Sequence, residues 1–211
     1  MVYLGNADSV EHSMSLESLP ALASIAVSMT WTPGPNNAML SASGANYGWR
    51  RSLGHVMGVT LGFPLMLIAV AFGLIRVLER FPVIVEVLSW IGLGMLTWIA
   101  WRIATAAGPG RTARGKPLTF PEAVAFQWVN PKAWALAIYI TAGYAVGTTA
   151  VSNILVAAGV FLVSGLASSL AWAAVGEGIG TVLRRGWRLR AFNLTMAALL
   201  MAGGVWLMVG R

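Results

Sequence analysis

Thr32-Pro33-Gly34-Pro35-Asn36-Asn37 stands in the middle of an apolar run that extends from about Leu16 to Tyr47. Each proline withdraws a backbone donor and clashes with the turn before it, and Gly34 between them permits backbone shapes that other residues resist. Such a stretch ends one helix and, after a gap, starts another, and Asn36 is suited to cap the second. The composition on either side names the solvent. Hydrophobic residues make up 57% of the 211-residue chain and charged residues 10%, with a mean hydropathy of +0.73; a soluble domain carries roughly a quarter charged residues. The charges fall in short clusters between apolar runs of about the 20 residues that cross a bilayer. Lipid is therefore the solvent, and a mid-run break survives only where protein or a water-filled cavity covers the freed backbone groups.

Six apolar runs follow from this reading. After Leu16 to Tyr47 come Ser52 to Ile75, Pro82 to Ala107, Phe120 to Gly143, Thr149 to about Val175, and Leu189 to Val209. The fourth run is interrupted as the first is, by Asn130-Pro131-Lys132. Asn130 is a favoured cap, and Pro131 takes the first helical position, where its missing N–H is harmless. The expected fold is an all-α integral membrane protein of six transmembrane helices, with the first and fourth broken near the midplane. Residues 1–15 form an external tail, 16–107 a first three-helix half, 108–119 a cytoplasmic loop and 120–211 a second half. The halves start on opposite sides of the membrane and each opens with an interrupted helix, the pattern of an inverted-topology repeat, which points to alternating access.

Orientation follows from the basic residues, which concentrate in cytoplasmic loops. The connections 1/2, 3/4 and 5/6 collect Arg50, Arg51, Arg102, Arg111, Arg114, Lys116, Arg184, Arg185, Arg188 and Arg190; the opposite side holds Arg76, Arg80 and Arg211. Both termini are therefore expected outside the cytoplasm. The acidic start, with Asp8, Glu11 and Glu17, lacks the positive region of a signal peptide, and either Met1 or Met14 serves as the start. The same positive-inside pattern explains the net charge of +7. No basic face interleaved with stacking aromatics lies outside the runs, so nucleic acid is not an expected partner.

Where two half-helices restart near the midplane, their N-termini present partial positive charge, and Lys132 adds a full one, so the pair attracts an anion. The carbonyl-rich ends of the preceding half-helices, near Thr30 to Thr32 and Gln127 to Val129, attract cations. A zwitterion fits both. The candidate substrate-binding residues are Thr32, Pro33, Gly34, Pro35, Asn36, Asn37, Gln127, Asn130, Pro131 and Lys132, with Thr32 and Gln127 of second rank. The rival reading makes each break a proline kink that only shapes packing, in a non-transporting structural or regulatory membrane protein. An ionisable residue at membrane depth favours function, although Lys132 could snorkel to the cytoplasm.

The first break, followed by Gly44, Gly48, Arg50-Arg51, Gly54, Gly58 and Gly62, resembles the N-terminal signature of the LysE/RhtB family of bacterial amino-acid exporters. Phe126-Gln127-Trp128-Val129-Asn130-Pro131-Lys132-Ala133-Trp134 resembles its second motif. Ile91-Gly92-Leu93-Gly94-Met95-Leu96 with Trp98, Ala100 and Trp101 is similar to its third-helix pattern. The resemblance implies export of amino acids or related small zwitterions across the bacterial cytoplasmic membrane, in exchange for protons. One departure stands out. Many members place an acidic residue just after the second-helix glycine, where this chain has Gly62-Phe63-Pro64; that favours an uncharged or modestly polar substrate over lysine.

Glu177 and His55 are the candidates for proton coupling. The favoured reading of Glu177 is nonetheless an interfacial carboxylate near Arg184, Arg185 and Arg188, and that of His55 a packed or cytoplasm-edge histidine. Glu86 is expected to be solvated near the external end of the third helix. Gly54, Gly58 and Gly62 put two overlapping GxxxG patterns on one face, for internal packing or a homodimer. Gly176, Gly178 and Gly180 read as a loosened helix end. Gly110 to Lys116 approaches the phosphate-loop pattern, but Pro117 stands where Ser or Thr is needed and the loop joins two membrane runs. With no cysteine, two distant histidines and no nucleophile and base in reach of each other, neither a metal site, a cofactor nor an enzyme is expected.

Overall fold

The computed structural model of the protein describes residues 18–106, 115–145, 148–183 and 186–209. The expected external tail, Arg111, Arg114, Arg184, Arg185 and Arg211 lie outside them, as does most of the phosphate-loop look-alike. Among the described residues the chain is helical throughout, without strands. The first run is two helices, α1 (Leu19–Trp31) and α2 (Pro35–Tyr47). The second is α3 (Leu53–Ala69), which passes through a π-helical turn over Val70–Leu74 into the short α4 (Ile75–Arg80). Gly73 in that turn has φ 109°, a left-handed conformation that glycine alone adopts without strain. Then come α5 (Pro82–Ala104), α6 (Phe120–Gln127), α7 (Pro131–Tyr144), α8 (Ala150–Leu183) and α9 (Trp187–Val209). Three stretches, Leu53–Leu74, Glu86–Ala104 and Ala150–Leu183, are each long and apolar enough to cross a membrane.

Among the described residues three buried clusters organise the helices; the smallest, Leu40, Val56, Val59, Ala123 and Ala173, joins α2, α3, α6 and α8. Leu22, Ala26, Phe63, Met66, Ala137, Ile140, Ile154 and Phe161 gather α1, α3, α7 and α8. Met39, Leu96, Ile99, Phe126, Ala197 and Leu200 gather α2, α5, α6 and α9. Each cluster thus takes one member of α1/α2 and one of α6/α7. The two interruptions lie where the clusters meet.

Glycines set the closest approaches. A Cβ at Gly58 would come within 2.6 Å of the Ala123 Cβ and the Phe120 carbonyl oxygen, and one at Gly62 within 2.8 Å of the Gln127 Cγ. The Gly54, Gly58, Gly62 stripe therefore packs internally, against α6. Gly176 and Gly180 overturn the expectation of a loosened helix end: α8 runs unbroken to Leu183. A Cβ at Gly176 would collide with the Ser41 carbonyl, one at Gly180 with that of Ala45, and one at Gly44 with that of Ala173. These glycines bring the backbones of α2 and α8 together, as small residues do between membrane helices. Between α2 and α9, Asn46 and Asn193 exchange two hydrogen bonds, at 2.8 and 2.9 Å. At the far end of α5, Arg102 stacks over Trp98 and bonds Glu122 at 3.3 Å and the Lys116 carbonyl at 2.6 Å. Glu122 also closes the capping box that starts α6 at Thr119. Glu86 is exposed, as expected.

Candidate functional site

α1 ends at Trp31, and side chains supply donors to the carbonyls of Thr30 and Thr32 at its end. The Asn37 carboxamide donates to the carbonyls of Thr30 and Thr32, each at 2.9 Å. The Ser168 hydroxyl of α8 also donates to the Thr30 carbonyl, at 2.7 Å, and the Lys132 ammonium to that of Thr32, at 3.0 Å. Lys132 thereby sets its charge at the negative pole of α1, a favourable place for a cation. The Thr32 hydroxyl is turned back onto its own helix, to Ser28.

The restarts differ. α2 begins at Pro35 on Gly34, which is fully extended and supplies no side-chain cap. Asn36 is not the cap that its position suggests. Its carboxamide donates to the Gln127 Oε1 at 2.9 Å, and the Gln127 Nε2 returns a bond at 3.3 Å. The two interruptions are thus tied together by a reciprocal amide pair, whose partners stand 91 residues apart. Gln127 is fully buried and fixed by a further bond to the Ala123 carbonyl, so it stands between the two interruptions and joins them. Asn130 does cap α7, accepting the Lys132 N–H at 3.1 Å. Behind it, the Trp134 indole donates to the Trp128 carbonyl at 2.8 Å and packs edge-on against the Trp128 ring.

These groups surround a cavity of about 70 Å³. Gly34, Pro35, Asn36, Asn37, Gln127, Asn130 and Lys132 line it; Pro33 and Pro131 do not, and Thr32 enters the site through its carbonyl. Sequence reasoning missed the rest of the wall. Met29, Phe63, Leu136 and Phe161 form its apolar side, with Phe63 and Phe161 edge-to-face at 5.0 Å. Thr60, Ser168 and Ser169 add hydroxyls. Polar residues inside apolar runs were the available signal for these three. The lining contains one cation, Lys132, and no carboxylate.

Glu177 and His55 lie apart from that lining. Glu177 faces the turn after α2, where its carboxylate accepts the Trp49 N–H at 3.4 Å. His55 is fully buried; its Nδ1 lies 2.9 Å from the Ser43 hydroxyl, and its Nε2 has no partner. Among the described residues no three His, Asp or Glu side chains lie close enough to hold a metal ion.

Comparison with known proteins identifies relatives along most of the chain. The cysteine/O-acetylserine efflux protein of Salmonella choleraesuis (strain SC-B67) is 30% identical over 175 residues, covering 80% of this chain and 86% of that protein. Its namesake in Escherichia coli (strain K12) is 29% identical over 170 residues, with the same coverage. No solved structure matches the chain significantly. The family model of the LysE type translocators matches residues 27–211, and the chain belongs to that family.

Proposed function

We propose that this protein exports small amino acids with uncharged side chains, cysteine and O-acetylserine among them, from the bacterial cytoplasm by alternating access in exchange for protons. One observation carries the reading: two half-helix N-termini and Lys132 meet at a single cavity, tied by the Asn36–Gln127 pair and containing no carboxylate. The N-termini and the ammonium are matched to a substrate carboxylate. A cationic side chain would find no counter-charge there, which separates this substrate class from lysine. The apolar wall of Phe63, Leu136 and Phe161 suits a short side chain.

The transport cycle belongs to an inverted repeat of three plus three helices, in the cytoplasmic membrane, with both termini outside. The sharing of α1 with α7 and of α2 with α6 between two clusters supports it, because an inverted pair places opposite halves of its two broken helices on the same side. Movement of the other helices about the close-packed α2–α8 seam opens the cavity to alternate sides. His55 and Glu177 are the titratable groups assigned to the proton route.

Proteoliposomes loaded with radiolabelled cysteine test this. Efflux is expected, accelerated by an imposed pH gradient and abolished when a protonophore collapses it. Well-folded Lys132→Met and Asn36→Ala proteins with wild-type efflux would reject the cavity as the site.

A further inference from the structure

Among the described residues most helical threonines turn their hydroxyls back onto their own helix; Thr60 and Thr141 have buried hydroxyls without a partner, and of these two only Thr60 lines the cavity. Thr30, Thr97, Thr105 and Thr195 each donate to the carbonyl four residues earlier, at 2.7–3.0 Å. Thr60 does not. It is 2% exposed, lies in the wall of the cavity, and its hydroxyl has no hydrogen-bond partner. Four residues further along α3 stands Pro64, inside the helix. Proline has no N–H, so the donor that a helix ordinarily brings to the Thr60 carbonyl is missing. One residue of the wall therefore carries a hydroxyl without a partner and a carbonyl that lacks its usual donor four residues on.

Buried oxygens without donors are destabilising, and they persist in native proteins where something else supplies the donor. The donor cannot be a carboxylate, which only accepts. An ammonium group offers three donors and no acceptor. We infer that the Thr60–Pro64 segment of α3 is the subsite for the substrate's ammonium group. This rests on the cavity being the substrate site. Lys132 and the two half-helix N-termini hold the carboxylate, and Thr60 takes the other end of the zwitterion. Rotation about χ1, for which a helical threonine has two accessible wells, brings the hydroxyl onto the ligand. The positive charge is met by neutral oxygens in place of a carboxylate, and Gly62-Phe63-Pro64 supplies the proline that frees one of them.

The test compares cysteine with 3-mercaptopropanoate, the same molecule without its amine, binding to the purified full-length protein in reducing buffer. Wild-type protein should bind cysteine more tightly. Thr60→Val and Pro64→Ala should each weaken cysteine binding about tenfold, the loss of one charge-assisted hydrogen bond, and leave 3-mercaptopropanoate unchanged. Each should also hold or raise the melting temperature of the ligand-free protein, since each removes an unserved oxygen or restores its donor. Thr60→Ser should retain cysteine binding. A purely structural role would lower stability and both affinities together, and that result would overturn the subsite. So would wild-type cysteine affinity in both variants. Where Pro64→Ala fails to fold, Thr60→Val decides alone. Failure of the wild-type protein to bind either ligand would bring down the substrate site itself; cysteine binding that is weakened by Lys132→Met and indifferent to Thr60 and Pro64 would reject the ammonium subsite alone.

Discussion

At the first interruption α2 starts on a glycine that offers no cap, and at the second α7 starts on Asn130, whose carboxamide accepts the Lys132 N–H. Both restarts place proline at the first helical position, but the residue after it is Asn36 in one and Lys132 in the other. The first interruption is consequently held from outside its own restart: Asn37 reaches back to two carbonyls, Ser168 and Lys132 reach across, and Asn36 bonds Gln127. The second closes locally and exports its charge to the first. The comparison shows a division of labour, in which one break supplies a cage of amides and carbonyls and the other a cation.

That division can be broken experimentally, beginning where the effect is greatest. Lys132→Met removes the only cation in the lining and should slow cysteine efflux about 10- to 100-fold, the range for hydrogen bonds to a charged group, while surface expression stays normal. Exchanging the two residues, Asn36→Lys with Lys132→Asn, keeps composition and charge; efflux should still fall about tenfold or more, because Gln127 loses its reciprocal partner and the ammonium leaves the end of α1. Wild-type efflux in the exchanged protein would mean that the breaks are equivalent. Asn37→Ala should destabilise the protein by about 2 kcal/mol, for two lost bonds to part-buried carbonyls at the end of α1, whereas Asn130→Ala should cost about 1 kcal/mol, the usual value of an N-cap; thermal melts in detergent measure both. The smallest effect is expected from Gly34→Ala. Its backbone is extended and open to any residue, and the added Cβ would lie 3.3 Å from the Lys132 Cδ. The lysine must give way by a few tenths of an ångström, so efflux should change by about threefold or less with stability unaltered.

The sequence made the interruptions themselves legible, because proline, glycine and asparagine act on the backbone within a turn or two of where they stand. Lys132 was legible for a related reason: a charge in an apolar run must be accounted for. Asn36 was not, since whether a carboxamide caps its own helix or bonds a residue 91 positions away is decided by tertiary approach. The pairing of Gln127 with it was hidden on the same ground. Gly176 and Gly180 misled in the opposite direction. Glycine weakens an isolated helix, and only the arrival of α2 against α8 turns that weakness into contact. Thr60 gave only the weak signal of a hydroxyl inside an apolar run, because its significance depends on a proline one turn away and on a cavity that five other helices complete.

The seam between α2 and α8 sets a mechanical limit on the transporter. With carbonyl oxygens lying where Cβ atoms would stand at Gly44, Gly176 and Gly180, the two helices have no layer of side chains between them to deform, and neither can slide past the other like meshed rods with slack. They must travel as a single strut. In the proposed alternating-access cycle the other helices turn about this strut, so a fluorescent or spin-label pair placed across it should report one fixed distance through the whole cycle.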